Sequence, residues 1–110
     1  MSHVLQDRVS LELGKRIAEG LPLHADWIDL AKRNLNHWSH LNAETPSLLR
    51  CYAEWIELLN RPVEVICNAL TAQTDEGQRL RQNSPFAGAL SPREVWDIKR
   101  SINRHETIPT

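Results

Sequence analysis

The spacing of the apolar residues constrains the fold of this chain more than any other feature of the sequence. Apolar side chains recur at intervals of three and four, and no stretch of five or more residues alternates cleanly between apolar and polar. Near the N-terminus they stand at steps of four, in Leu5, Val9, Leu13, Ile17 and Leu21. This period is typical of amphipathic helices that bury one face. The sequence therefore predicts an all-α protein.

Helix start and stop signals divide the pattern into six segments. We expect helices over residues 3–19, 25–41, 46–59, 62–70, 75–81 and 92–104, and a loop over 82–90. Gly20 is placed to end the first helix in a left-handed conformation, and Ser91 and Glu94 form a capping box at the start of the last one. Because the connections are short, we predict a compact single-domain bundle of five or six helices in residues 1–104, followed by a frayed tail at 105–110.

Size, charge and cysteine usage narrow the class of protein. A chain of 110 residues can bury one hydrophobic core without disulfides or metals. The net charge of −1 argues against a nucleic-acid binder that works mainly by electrostatic attraction. No apolar run approaches the roughly 20 residues of a membrane helix, and the N-terminus lacks the pattern of a signal peptide. Cys51 and Cys67 have apolar neighbours, so we expect two buried thiols in a cytoplasmic protein without membrane contact.

The sequence contains little that would predict a metal site or an enzyme. His37 and His40 lie one helical turn apart, but a zinc site needs three or four ligands. No glycine-rich phosphate loop, paired-carboxylate motif or Ser-His-Asp arrangement can be read from the residues. We therefore predict no metal and no cofactor, and favour a non-enzymatic protein over an enzyme.

One loose pattern points to RNA chemistry. Arg33 followed by His40, and Arg100 followed by His105, both fit an arginine and a histidine separated by four to six residues. This pattern resembles the signature of the HEPN ribonucleases, all-α proteins in which that pair cleaves RNA at a dimer interface. The resemblance implies a histidine that acts as general acid or base and an arginine that stabilises the charge on the phosphorane. A HEPN-type ribonuclease is therefore an alternative function.

Basic residues are concentrated towards the C-terminus. Between residues 79 and 104 there are six basic residues against two acidic ones. In a DNA-binding regulator of the helix-turn-helix type, the last helix would contact phosphates or base edges through Arg93, Lys99, Arg100 and Arg104. The loop before that helix is longer than the usual tight turn, and the overall charge is slightly negative, so nucleic acid is not the favoured partner.

The loop over 82–90 is the segment that helix periodicity explains least. It carries Phe86 and Leu90 but few charges, so one interpretation is that these two side chains pin the loop to the bundle. In the other interpretation Phe86 is an anchor for a partner and Arg81 is a polar clamp, since binding hot spots favour aromatic residues and arginine.

Trp96 lies one position away from the apolar stripe of the last helix, and we expect it at an interface. Wide apolar stripes also make a homodimer plausible.

Part of the chain resembles a group of known proteins. The sequence reads Trp-Ile-Glu-Leu-Leu at 55–59, Leu-Arg-Gln-Asn-Ser-Pro-Phe-Ala-Gly at 80–88 and Leu-Ser-Pro-Arg-Glu at 90–94. Within residues 55–100 it resembles small bacterial all-α proteins, some of them encoded beside toxin-like genes. The resemblance implies an antitoxin-like or regulatory role and transfers no site residue. The leading prediction is a non-enzymatic interaction module whose partner is another protein.

Overall fold

The structure, a computed structural model, describes the backbone of residues 3–107 and the side chains of residues 5–103. The helices in this range are His3–Gly20 (α1), Asp26–Leu41 (α2), Pro46–Leu59 (α3), Val63–Thr71 (α4), Asp75–Gln82 (α5) and Pro92–Thr107 (α6). The described backbone contains no strand, which confirms the all-α single-domain bundle. None of these helices is long and apolar enough to cross a membrane.

The first helix packs against three other helices. α1 packs against α4, α5 and α6, whereas α2 packs against α3, and α3 contacts α4. The apolar stripe predicted for the first helix faces these neighbours, because Ile17 and Leu21 are buried and Leu13 packs against them. The hydrophobic period therefore identified the buried face of α1.

The two helices α1 and α4 approach each other closely at Gly14. A Cβ atom on Gly14 would lie 2.2 Å from the carbonyl oxygen of Leu70 and 3.2 Å from Cδ of Arg81. The first distance is far below any van der Waals contact, so this crossing requires a residue without a side chain.

Trp55 is the centre of the core. Its side chain is completely buried, and its Nε1–H donates a hydrogen bond to the carbonyl oxygen of Leu80 at 2.9 Å. The ring meets Phe86 edge to face, with the centroids 6.2 Å apart and the planes at 83°. A buried indole needs an acceptor for its N–H, and here that acceptor lies in α5. Trp55 thus joins α3 to α5 and to the segment that follows α5.

The connection over residues 83–91 is held firmly against the bundle. Asn34 Nδ2 donates to the carbonyl oxygen of Pro85 at 2.9 Å and to that of Ala87 at 3.0 Å. Phe86 lies between these two points and is buried, and Leu90, three residues after Ala87, is also buried. The interpretation that these two side chains pin the loop is therefore correct.

The ends of the helices follow the sequence signals at some positions and depart from them at others. The amide N–H of Glu94 donates to Ser91 Oγ at 3.1 Å, and the amide of Ser91 donates to Glu94 Oε1 at 3.3 Å, so the capping box is present. The left-handed conformation expected at Gly20 is wrong, because its φ is −87° and the chain continues into a 3₁₀ turn at Leu21–Leu23. α6 runs on to Thr107, into the segment predicted to be frayed. Residues 108–110 lie outside the described residues.

The capping box gives a prediction about pH. Hydrogen bonding from Ser91 and the nearby Arg16 guanidinium hold the pKa of the Glu94 carboxyl below its usual range. A group whose pKa is lowered by folding stabilises the protein above its unfolded pKa, and this contribution disappears as the pH falls through the folded pKa. We expect Glu94→Gln to be less stable than the wild type near pH 7, and the difference to shrink as the pH falls through the folded pKa of Glu94.

Urea unfolding of the two proteins at a series of pH values measures this difference. Both proteins share every other titrating group, so the difference isolates the carboxyl of Glu94. A difference that stays constant from about pH 7 to about pH 3 would contradict the prediction.

Candidate functional site

Two of the three residues predicted to anchor a partner lie inside the domain. Phe86 is 2% exposed and Arg81 is 5% exposed. Phe86 packs against Trp55, and Arg81 is turned towards the end of α4. The structure therefore contradicts their role as exposed anchors, because neither side chain offers a surface that a partner protein could reach.

Arg81 carries a positive charge into the interior. Its Nη1 donates to the carbonyl oxygen of Ala72 at 2.5 Å and to that of Leu70 at 3.4 Å, both at the C-terminal end of α4. Such carbonyls lack partners within their helix, and the negative end of the helix dipole attracts a cation. Arg81, a residue of α5, thus caps the C-terminal end of α4.

The charge of Arg81 is only partly compensated. Burial lowers the pKa of Arg81, and the negative charge of Asp7 acts in the opposite direction. Among the described residues no carboxylate forms an ion pair with Arg81. Its Nε is buried and has no hydrogen-bond partner. Buried charges are normally paired, so this arginine is an unusual feature of the core.

A cavity of about 330 Å³ lies beside Arg81. We call it the Arg81 cavity. α1 forms one wall, and the segment over 83–91 forms the opposite wall. Of the described residues that line it, Arg81 is charged, Ser10 and Ser84 are polar, and the remainder are apolar or glycine. The volume is within the range of about 300–1,000 Å³ that small-molecule sites occupy.

The third predicted anchor, Trp96, is on the surface. Its side chain is 56% exposed, and the guanidinium carbon of Arg100 lies 5.0 Å from the centroid of its ring. Arg93 and Lys99 are exposed on the same helix. We call the exposed side chains of Arg93, Trp96, Lys99 and Arg100 the α6 face.

A groove borders the α6 face. Lys99 lies one turn after Trp96 and lines a groove between α1 and α6. Leu5, Val9 and Leu13 form the apolar wall of this groove on α1. The α6 face therefore combines an aromatic surface, three cations and an adjoining apolar depression.

The structure describes the side chains of three of the four residues that the DNA-binding hypothesis requires. Arg93, Lys99 and Arg100 are exposed as that hypothesis requires, but the side chain of Arg104 lies outside the described part of the chain. Asp97 stands among them, with its Oδ2 4.0 Å from Nε of Arg93. The main packing partner of α6 is α1, whereas the second helix of a helix-turn-helix packs on the helix before it.

The residues of the HEPN hypothesis lie on two different helices. Arg33 and His40 are both exposed on α2, roughly 10 Å apart along the helix axis at 1.5 Å per residue. Nδ1 of His40 lies 2.8 Å from the carbonyl oxygen of Asn36 in the same helix. Arg100 is stacked on Trp96, and the side chain of His105 lies outside the described residues.

The described residues contain no group of three or more histidine, cysteine or acidic side chains that could hold a metal ion.

Cys51 is buried, Cys67 is partly buried, and neither forms a disulfide. Burial raises the pKa of both thiols. A raised pKa keeps a thiol protonated and poorly nucleophilic, so neither cysteine has the environment of a catalytic nucleophile.

The Arg81 cavity was not foreseen from the sequence. Ser10 and Gly14 on α1 meet Ser84 and Phe86 across it, although these pairs are far apart in the chain. Helix periodicity reports which face of a helix is buried but not where two buried faces leave a gap. The one usable signal was Gly14, a glycine within a helix, which indicates a close approach of backbones.

Comparison with known proteins gives no relative for this chain. No protein-family model, curated protein or solved structure matches it.

Proposed function

We propose that this chain is a non-enzymatic interaction module that binds another protein through the α6 face. The observation that most directly supports the proposal is the 56% exposure of Trp96. The other three tryptophans of the chain are buried or partly buried. Tryptophan and arginine are the residue types that contribute most binding free energy at protein interfaces, and here they are stacked on each other.

The charge on the α6 face selects the kind of partner. Arg93, Lys99 and Arg100 are exposed cations, and Asp97 lies close to Arg93. These residues leave a positive excess around an aromatic centre. The complementary partner presents an apolar pocket for the indole, surrounded by aspartate or glutamate.

A protein fits this face better than nucleic acid does. Binding to a phosphate backbone relies on many cations that displace counterions. The α6 face has three cations with a carboxylate among them, and the chain as a whole has a net charge of −1. An exposed tryptophan next to the groove of Leu5 and Val9 contributes apolar area instead, which is the main source of free energy at a protein interface.

Affinity capture from a lysate of the native host, with nuclease treatment, tests the proposal. We expect a protein partner that survives nuclease and is lost, or bound at least roughly thirtyfold more weakly, with Trp96→Ala, since hot-spot truncations cost about 2 kcal/mol or more. Arg100→Ala should weaken the same complex. The matched control is Leu41→Ala, which removes another highly exposed apolar side chain, 67% exposed, at the end of α2.

Three results would contradict the proposal. The first is a partner that Trp96→Ala retains as well as the wild type does. The second is nuclease-sensitive recovery of nucleic acid alone, which would support the DNA-binding alternative. The third is RNA cleavage by the purified chain that requires Arg33 and His40, which would support the HEPN alternative. A complex that contains only a second copy of this chain would instead make the α6 face a homodimer contact.

A further inference from the structure

We propose that the partner protein places an amphipathic helix, with acidic residues beside its apolar stripe, in a continuous groove along α1. The groove consists of the Arg81 cavity together with the groove between α1 and α6, and we call the two together the α1 groove. This inference rests on the proposed function, because it names the part of the partner that lies beside the α6 face. It follows from the length, the lining and the charge of the α1 groove.

The two depressions that form the α1 groove meet at shared residues. Ser10 and Leu13 line both of them. From there the Arg81 cavity, of about 330 Å³, extends to Ile17, and the other depression, of about 300 Å³, extends to Leu5. Between residues 5 and 17 α1 rises by about 18 Å, at 1.5 Å per residue. This length accommodates about three turns of a second helix, or roughly 12 residues.

The α1 groove offers apolar area at the surface of the domain. Val9 and Leu13 on α1 and Val95 on α6 line it and are only partly buried. Ala87 and Gly88, which line the Arg81 cavity, are exposed, so this end of the groove also reaches the surface. A docked apolar stripe would remove these side chains from water, which is the main source of free energy on association.

The walls of the groove favour a helix over an extended segment. They are formed by α1, α6 and the segment over 83–91, and the described backbone offers no strand edge. The two helices use their backbone N–H and C=O groups internally, so an extended segment would bury its own backbone groups without partners there. A helix satisfies its own backbone and presents apolar side chains to a groove at steps of three and four residues.

The charge around the groove selects acidic residues on the docked helix. No carboxylate lines either depression among the described residues, and the two charged lining residues are Lys99 and Arg81. Lys99 is exposed, whereas Arg81 is 5% exposed and donates to the end of α4. Three basic residues stand against two acidic ones within residues 5–17, and the same holds within 92–103. Both walls are thus positive in a chain whose net charge is −1, and aspartate or glutamate complements them.

NMR titration of the full chain with two synthetic peptides tests the proposal. Each peptide is a helix of about 18 residues, long enough to be helical, with leucine at steps of three and four. The first carries glutamate beside the leucines and the second carries lysine at the same positions. We expect the glutamate peptide to bind saturably below about 1 mM and to shift the amide signals of Val9, Ser10 and Lys99. The lysine peptide should bind at least roughly fivefold more weakly.

Variants separate the charge of the groove from its shape. Lys99→Glu should bind the lysine peptide more tightly than the glutamate peptide. Its matched control, Lys15→Glu, makes the same change in net charge at an exposed residue of α1 outside the groove and should keep the wild-type preference. Ser10→Trp fills the junction of the two depressions and should weaken both peptides at least roughly tenfold, since it removes the apolar contact. Ser47→Trp, at an exposed position in α3, should bind like the wild type.

The partner captured from the native host separates this inference from the proposed function. Ser10→Trp should lose or weaken that complex, as Trp96→Ala does. A partner that is lost with Trp96→Ala but retained with Ser10→Trp would overturn the inference about the groove and leave the proposed function standing. A partner that Trp96→Ala retains and Ser10→Trp loses would contradict the role of the α6 face and leave the groove as the binding site.

Three further results would overturn the inference. One is an absence of saturation up to about 1 mM glutamate peptide. Another is equal affinity of the wild type for the two peptides, which would mean that the charge of the groove is not recognised. The last is a dimer of this chain that dissociates with Ser10→Trp, which would mean that a second copy covers the groove. Because Lys99 is exposed, the exchange of preference in Lys99→Glu keeps the test decisive if Ser10→Trp does not fold.

Discussion

Replacement of Trp55 by alanine is expected to lower the free energy of unfolding by about 3–5 kcal/mol. The side chain is completely buried, so its removal leaves a large cavity between α3 and α5. The carbonyl oxygen of Leu80 would also lose the indole N–H that donates to it at 2.9 Å. A domain of this kind has a total stability of about 5–15 kcal/mol, so the loss is a large part of the whole.

Urea unfolding measures this loss, and Trp96→Ala is the matched control. Trp96 is 56% exposed and its main described contact is the stacked Arg100. A cation–π contact at an exposed site contributes about 0.5–1 kcal/mol, so Trp96→Ala should change stability by no more than about 1 kcal/mol. If the two substitutions had similar effects, Trp55 would not have the central position that we describe.

Trp55→Phe separates the loss of the indole hydrogen bond from the loss of the aromatic ring. Phenylalanine keeps an aromatic ring against Phe86 but has no N–H for the carbonyl of Leu80. A buried acceptor without its donor costs about 1–3 kcal/mol, so this variant should lie between the wild type and Trp55→Ala.

The fold was predictable because its determinants are local in sequence. The four-residue step through Leu13 and Ile17 fixes one face of α1, and both residues pack in the core. The capping box of Ser91 and Glu94 needs residues three positions apart, and it is present. Each of these signals operates within one or two helical turns, so it can be read without knowledge of the tertiary structure.

The roles of Arg81 and Phe86 could not be read in the same way. One interpretation made both of them exposed anchors, since hot spots favour these residue types, yet both are buried. The segment that carries Phe86 is held by Asn34, which is 51 residues from Pro85 along the chain and carries no sequence signal for this contact. A residue type indicates what a side chain can do, but its exposure depends on the elements that pack over it. Trp96 is exposed because it lies off the buried stripe of its own helix, which is a local feature.

Replacement of Gly14 by alanine is expected to destabilise the protein by about 1–3 kcal/mol or more, even though alanine is the better helix former. Helix propensity alone favours alanine over glycine by about 1 kcal/mol. The new Cβ, however, would lie 2.2 Å from the carbonyl oxygen of Leu70, and 3.2 Å from Cδ of Arg81. The first of these atoms belongs to the backbone of α4, so no side-chain rotation relieves the contact, and α1 and α4 must move apart.

A neighbouring position isolates the steric effect. Lys15 is exposed in the same helix, one residue later, so the comparison of Lys15→Ala with Lys15→Gly measures helix propensity alone. Alanine should be the more stable residue at position 15 by up to about 1 kcal/mol, whereas glycine should be the more stable residue at position 14. Urea unfolding of the four proteins, wild type included, gives both differences. A Gly14→Ala protein as stable as the wild type would mean that α1 and α4 do not approach as closely as the structure shows.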